Sequence, residues 1–334
     1  MSRAEVRRDG LGGVSPGREA RTWSRTGGGA TIGRQPTEHT GGSYYGDPII
    51  NPPVWEERHI AGYLFAGGLA GASSILAAGG DLTGRRRLAR RAKFCASGAI
   101  GVSLAALIAD LGRPARFLNM LRVVKPTSPM SIGTWILVAY APLNATATAS
   151  EVTGLGTRSG RVASAGAGLL GSAVATYTGA LFANTAVPAW AGGRRELPFL
   201  FAGSAAAAAG GFGLLAAPRE ETGPARRMAL LGVAGEMVAS AAMERSLGTV
   251  ADALHTEPAH ARLRAARALS AAGALCAVTL AKRNRVAAGA SGVALLAGSA
   301  LTRFGLFAAG MASARDPRFT VEPQRRALET RPKA

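Results

Sequence analysis

Residues 92–125 read AKFCASGAIGVSLAALIADLGRPARFLNMLRVVK, and the fold turns on how the first half of that stretch is taken. From Ala96 to Ala109 no residue carries a charge, and Asp110 closes the run. The apolar residues form a block rather than the stripe of a surface helix or the alternation of a half-buried strand. Blocks of about 20 residues recur along the chain, the length a helix needs to cross a hydrocarbon core of about 30 Å. An integral membrane bundle is therefore the leading fold class. The second half of the stretch, with three arginines and a lysine among Phe, Leu, Met and Val, raises a separate question: polar loop, or mouth of a site.

Composition agrees with the membrane reading. Of 334 residues 48% are apolar but only 6% aromatic, and glycine fills 45 positions. Small residues let helices approach closely in lipid. The 39 Lys and Arg against 20 Asp and Glu cluster between apolar blocks, as in membrane proteins, and no domain-sized soluble segment carries an organised basic face, which argues against nucleic-acid binding. Cys95 and Cys276 fall inside predicted spans without a CxxC spacing; small buried hydrophobes describe them better than metal ligands.

Residues 1–43, rich in Gly, Arg, Ser and Thr, bury too little to offset ordering entropy and read as a disordered tail. The twin arginine in VRRDGLGGVSPG has no apolar region behind it, which argues against an export signal. From Tyr44 a Pro-rich, aromatic lead-in suits a membrane interface, and residues 44–312 form the membrane domain, followed by a polar tail over 313–334. Eight spans are expected at about 59–80, 92–111, 131–150, 163–189, 198–217, 228–247, 267–281 and 286–312. Both termini then share one face. Loops on the opposite face hold 14 basic residues and those on the termini face 10, which leans toward extracytoplasmic termini; the basic tails pull the other way.

The four histidines are His39, His59, His255 and His260. One lies in the tail and two in a polar loop, which argues against the paired axial ligands of a membrane haem. No Walker, zinc or iron–sulfur motif occurs, so neither haem nor metal is expected. What remains are polar groups in or at the edges of spans, where they are costly. His59 opens the first span and Asp110 ends the second, both toward the termini face. Arg303 lies about six residues inside the end of the last span, toward the same face; Glu236 is near the middle of the sixth and Tyr177 within the fourth. A quinone site needs proton donors or acceptors near one membrane face and an apolar slot, which His, Asp and Tyr satisfy. Each has a bland alternative: His59 as an interfacial anchor, Asp110 paired with Arg113 at i,i+3, Glu236 with Arg303 as a packing ion pair rather than a proton path, and Tyr177 as a packing aromatic.

Four segments in order carry a resemblance. YYGDPIINPPVWEERHIAGYLFAGGLAGASS (44–74), DLTGRRRLARRAKF (81–94), DLGRPARFLNMLRVVKPTSPMSIGTW (110–135) and YTGALFANTAVPAW (177–190), with a looser match at LTRFGLF (301–307), resemble the NrfD/polysulfide reductase membrane-subunit family. That resemblance implies an eight-helix, haem-free anchor in the prokaryotic plasma membrane. It implies a quinone, with menaquinone the expected species, paired with an iron–sulfur subunit and a molybdopterin catalytic subunit of formate dehydrogenase or polysulfide reductase type. It also implies quinone-side roles for His59, Asp110 and Tyr177. The chain would be inactive alone.

An iron–sulfur partner must approach the quinone, so the basic loop 112–130, with Arg113, Arg116, Arg122 and Lys125, is the expected docking surface. Two other readings stay open at this level: a secondary transporter, which Gly-interrupted helices with a few intramembrane charges also suit, and a purely structural anchor without quinone chemistry.

Overall fold

The computed structural model describes residues 6–7, 10–11, 49–110, 119–122 and 124–329, in two units divided after Gly46. In the first, β1 (Val6–Arg7) pairs antiparallel with β2 (Gly10–Leu11); the rest of the tail expected to be disordered lies outside the described residues. The second unit is helical. It contains α1 (Glu57–Leu82), α2 (Arg86–Asp110), α3 (Pro129–Thr153), α4 (Thr157–Ala183), a short α5 (Pro188–Gly192), α6 (Leu197–Ala216), α7 (Gly223–Leu247), α8 (Ala259–Thr279), α9 (Arg285–Arg315) and α10 (Arg318–Glu329).

Local chemistry sets the boundaries. Gly154, at φ 71°, ends α3 in the left-handed conformation that only glycine adopts without strain. Asn284 caps α9, its side chain accepting from the Val286 N–H at 2.8 Å. The guanidinium of Arg285 donates to the Leu214 and Ala217 carbonyls at 3.0 and 2.8 Å, satisfying the end of α6. Three short connections, 83–85, 154–156 and 280–284, make the helices they join antiparallel neighbours.

Helices α1 to α4 pack as one half and α6 to α9 as the other, with α1 touching α2, α4, α6 and α9 at the centre. Glycine permits the closest approaches: a Cβ on Gly71 of α1 would lie 2.3 Å from the Gly171 carbonyl oxygen of α4, and one on Gly171 would lie 2.4 Å from that of Gly71. In lipid such packing replaces the hydrophobic drive between helices. Outward positions are apolar too: Leu169 of α4 and Leu231 and Val238 of α7 are each at least 70% exposed. A surface of that kind suits lipid.

Five helices, α1, α2, α4, α6 and α9, are long and apolar enough to cross a membrane. The other three long helices carry more polar residues: Asn144 and Glu151 in α3, Glu236 and Glu244 in α7, and Arg262, Arg264 and Arg267 in α8. Two expected boundaries need correction. The span expected at 163–189 breaks: α4 ends at Ala183, and Pro188 starts α5 at a position where its missing N–H costs nothing. The span expected at 267–281 begins eight residues earlier, at Ala259. Its first turns are basic, but Arg262 pairs with Glu57 and Arg267 with Glu244, so their charges are matched.

Around α5 the core is aromatic. Trp190, fully buried, donates its indole N–H to the Leu306 carbonyl at 2.8 Å. Its ring lies 4.0 Å from Phe182, 5.7 Å from Phe307, and 5.8 Å from Trp55 in a stacked arrangement. The lead-in before α1 is thereby tied to the bundle.

Candidate functional site

The starts of α1 and α3 and the ends of α2 and α4 meet on the termini face, and there lie Glu56, His59, Asp110, Tyr63 and Tyr177. Asp110 ends α2 with its carboxyl against the start of α1, where its neighbours are the His59 ring and the Glu56 backbone. His59, 38% exposed, places Nδ1 3.2 Å from the Glu56 carboxylate. One turn further along α1, on the same face, the buried Tyr63 hydroxyl donates toward the Tyr177 hydroxyl of α4 at 3.4 Å. That separation exceeds a good hydroxyl hydrogen bond, so both phenols keep bonding capacity. Ser103 of α2 donates to the Tyr63 carbonyl at 3.1 Å, locking the two helices beside the pair.

Tyr177 is held by a missing side chain. A Cβ on Gly133 of α3 would lie 1.7 Å from Tyr177 Cζ and 2.1 Å from its hydroxyl. The phenol therefore lies flat in a notch that only glycine leaves open. Next to that notch Thr134 faces the sulfur of Met120, in the loop between α2 and α3, at 3.9 Å. His59, Asp110 and Tyr177, separated by up to 118 positions in the chain, thus share one end of the first half.

The other expected residues lie elsewhere. Arg303 is fully buried, and because α9 continues to Arg315 it sits 12 residues inside the helix end, not about six. At about 1.5 Å per residue that is roughly 18 Å. Its guanidinium lies 3.9 Å from the centre of the Phe201 ring and donates from Nη2 to the Phe201 carbonyl at 2.9 Å. Glu236 is its electrostatic neighbour, but no ion pair within 4.0 Å joins them among the described residues; Glu236 Oε1 instead accepts from Thr302 Oγ1 at 2.7 Å. The packing ion pair is thus replaced by two separate hydrogen bonds. Arg122 and Lys125 are exposed on the 119–128 segment, whose Lys125 N–H donates to Ser131 Oγ at 3.0 Å. Arg113 and Arg116 lie outside the described residues, and with them the proposed Asp110–Arg113 contact.

Tyr63 escaped the sequence reading, although its spacing of four from His59 on one helix was the available signal. No group of three or more His, Cys, Asp or Glu that could hold a metal occurs among the described residues.

Comparison with known proteins adds one finding. The model of the polysulphide reductase NrfD family matches residues 50–313, from the lead-in to within two residues of the end of α9. No curated protein matches the chain. Members of the family are membrane subunits of redox complexes that work with other redox subunits. With a match over that length, carried on helices able to cross a membrane, the chain belongs to the NrfD (polysulphide reductase) family of membrane proteins.

Proposed function

We propose that the chain is the haem-free, quinone-reactive anchor of a multi-subunit oxidoreductase in the prokaryotic plasma membrane, and that its eight long helices all span. In this reading it passes electrons between the membrane quinone pool, menaquinone in the first instance, and the iron–sulfur subunit of a molybdopterin enzyme of formate dehydrogenase or polysulfide reductase type. One observation supports it: Asp110 lies within electrostatic reach of His59 at the termini face, and Tyr63, bonded to Tyr177, is one turn from His59.

The residues present fit a quinone headgroup. Two buried phenols that are not tightly bonded to each other can each hydrogen-bond a carbonyl oxygen, and Gly133 fixes the ring of one of them. A bound quinone supplies two-electron, two-proton chemistry. Asp110 and His59, both half-buried, exchange those protons with water at the membrane surface, while Glu56 orients the imidazole through Nδ1. The exposed Arg122 and Lys125 offer positive charge beside the site to an acidic face of the iron–sulfur partner.

The test is Asp110→Asn in the complex as purified. Proton transfer by a positioned side chain contributes about 10²–10⁴-fold, so quinone-linked turnover should fall by about a hundredfold or more with assembly intact. Turnover with a soluble quinone analogue at the wild-type level would make Asp110 structural.

A further inference from the structure

A second cluster of polar groups lies in the other half of the bundle. Between α7, α8 and α9 there is a cavity of about 270 Å³, lined on its polar side by Glu236, Ser240 and Glu244 of α7, Arg267 and Ser270 of α8, and Thr302 of α9. The α7 residues recur every four positions, which puts them on one helix face. At the outer end Glu244 accepts from Arg267 at 3.2 Å and contacts His255 Nε2 at 3.1 Å. His255 in turn faces His260, Nδ1 to Nδ1, at 3.4 Å. His255, Arg267 and Glu244 all reach the surface, at 47%, 46% and 34% exposure. Arg267 also donates to Ser240 Oγ at 3.3 Å, one turn further in.

At the inner end polar atoms outnumber their partners. Glu236 is 7% exposed, and among the described residues its Oε2 has no hydrogen-bond partner, nor does Ser270 Oγ, which lines the same cavity. Ser204 lies near the Glu236 carboxylate, but its hydroxyl donates to Ser299 at 3.0 Å. Buried polar groups without partners are costly, and a roomy cavity edged by them is where water resides. The charged or titratable groups around Glu236 are Arg303 from α9, Arg267 from α8 and Glu244 on α7 itself; α6 contributes only Ser204 and apolar residues.

Among the described residues, the lining of the cavity reaches no further from the termini face than Glu236, Ser270 and Thr302. Beyond it, toward the opposite face, backbones touch. A Cβ on Gly232 of α7 would lie 2.6 Å from the Gly203 oxygen of α6, and one on Gly292 of α9 would lie 2.4 Å from the Gly211 oxygen of α6. Glu236 itself is eight residues, roughly 12 Å, deeper than Glu244.

We propose that this cavity is a water-filled, one-sided proton entry that leads from His255 and Glu244 at the termini face to Glu236 and stops there. The proton taken up by Glu236 comes from bulk water at that face and returns by the same route, so this half of the bundle exchanges protons without carrying them across the membrane. The proposal rests on the reading that all eight long helices span, and is independent of the quinone reading.

The test uses the full chain with its co-purifying subunits in phosphatidylethanolamine/phosphatidylglycerol vesicles, with orientation fixed by protease access to the C-terminal segment. The carboxyl infrared band of Glu236 is identified by its loss in Glu236→Gln or its displacement in Glu236→Asp. A pH jump on the side bearing the C-terminus should change that band, and a jump on the other side should leave it unchanged. Ser240→Leu, which fills the cavity and removes its middle hydroxyl, should abolish the fast response, and Ser240→Thr should keep it. A response to the opposite side, a response to neither, or wild-type kinetics in Ser240→Leu would each overturn the proposal.

Discussion

Gly133→Ala is the smallest perturbation that reaches the candidate quinone site without touching a polar group. The new Cβ would lie 1.7 Å from Tyr177 Cζ, and ordinary contact begins near 3.4 Å, so the ring must retreat by about 1.7 Å. That shift takes the Tyr177 hydroxyl, already 3.4 Å from Tyr63, off its position. Overpacking of this kind costs about 1–3 kcal/mol in stability, which the bundle should survive. A misplacement of about 1 Å in a positioning group can cost about 10²-fold in rate. The expected result is therefore a folded, assembled complex whose quinone-linked turnover falls by about two orders of magnitude. The assay is oxidation or reduction of a soluble quinone analogue by the purified complex, run beside its detergent melting curve. A cycle with Tyr177→Ala separates causes: once the phenol is gone, adding Gly133→Ala should cost nothing more. Wild-type turnover in Gly133→Ala, or fully additive losses in the double variant, would show that Tyr177 does not position a quinone.

Three further outcomes follow from packing and charge. Trp190→Ala removes a fully buried indole together with its bond to the Leu306 carbonyl; a loss of about 3–5 kcal/mol is expected, read as a lowered unfolding midpoint in detergent. Lys93→Met leaves Asp81 and Glu151, which the buried ammonium contacts at 3.0 and 2.9 Å, without their cation. Breaking such a set costs about 3–5 kcal/mol, and Asp81→Asn in the same background should recover part of it. Arg122→Glu reverses an exposed charge on the segment beside the site; it should weaken retention of the proposed iron–sulfur partner, with the largest difference from wild type at low salt, where exposed charges are least screened, and with the stability of the chain itself unchanged.

The helices were legible because lipid demands long apolar runs, and the runs in α1, α2, α6 and α9 are plain in the sequence. The break between α4 and α5 was not. From Leu181 to Trp190 the chain carries no charge and only Asn184 and Thr185 are polar, which does not distinguish a proline that opens a new helix from one that kinks an old one; packing of Trp190 against Phe182 and Phe307 makes the choice. The start of α8 was hidden for the opposite reason, since Arg262 and Arg267 look expensive until their partners on α1 and α7 are known. His59 and Asp110 could be named from their places at span ends, and helix topology brings them together. Tyr63 drew no notice because a tyrosine in an apolar run reads as packing; its role depends on Tyr177, 114 residues away. The same limit applied to Glu236 and Arg303, for which an ion pair and a proton path were both open from sequence, and which bond instead to Thr302 and to the Phe201 carbonyl.

The proposed quinone site lies between the start of α1, the end of α2, the start of α3 and the end of α4. Photolabelling the intact complex with an azidoquinone, followed by peptide mapping, tests it most directly. The label should be competed away by an unlabelled menaquinone analogue, be confined to peptides carrying Trp55–Tyr63, Asp110, Gly133 and Tyr177, and be reduced in Gly133→Ala. Label that maps to the α7–α9 cavity, or that resists competition, would contradict that placement.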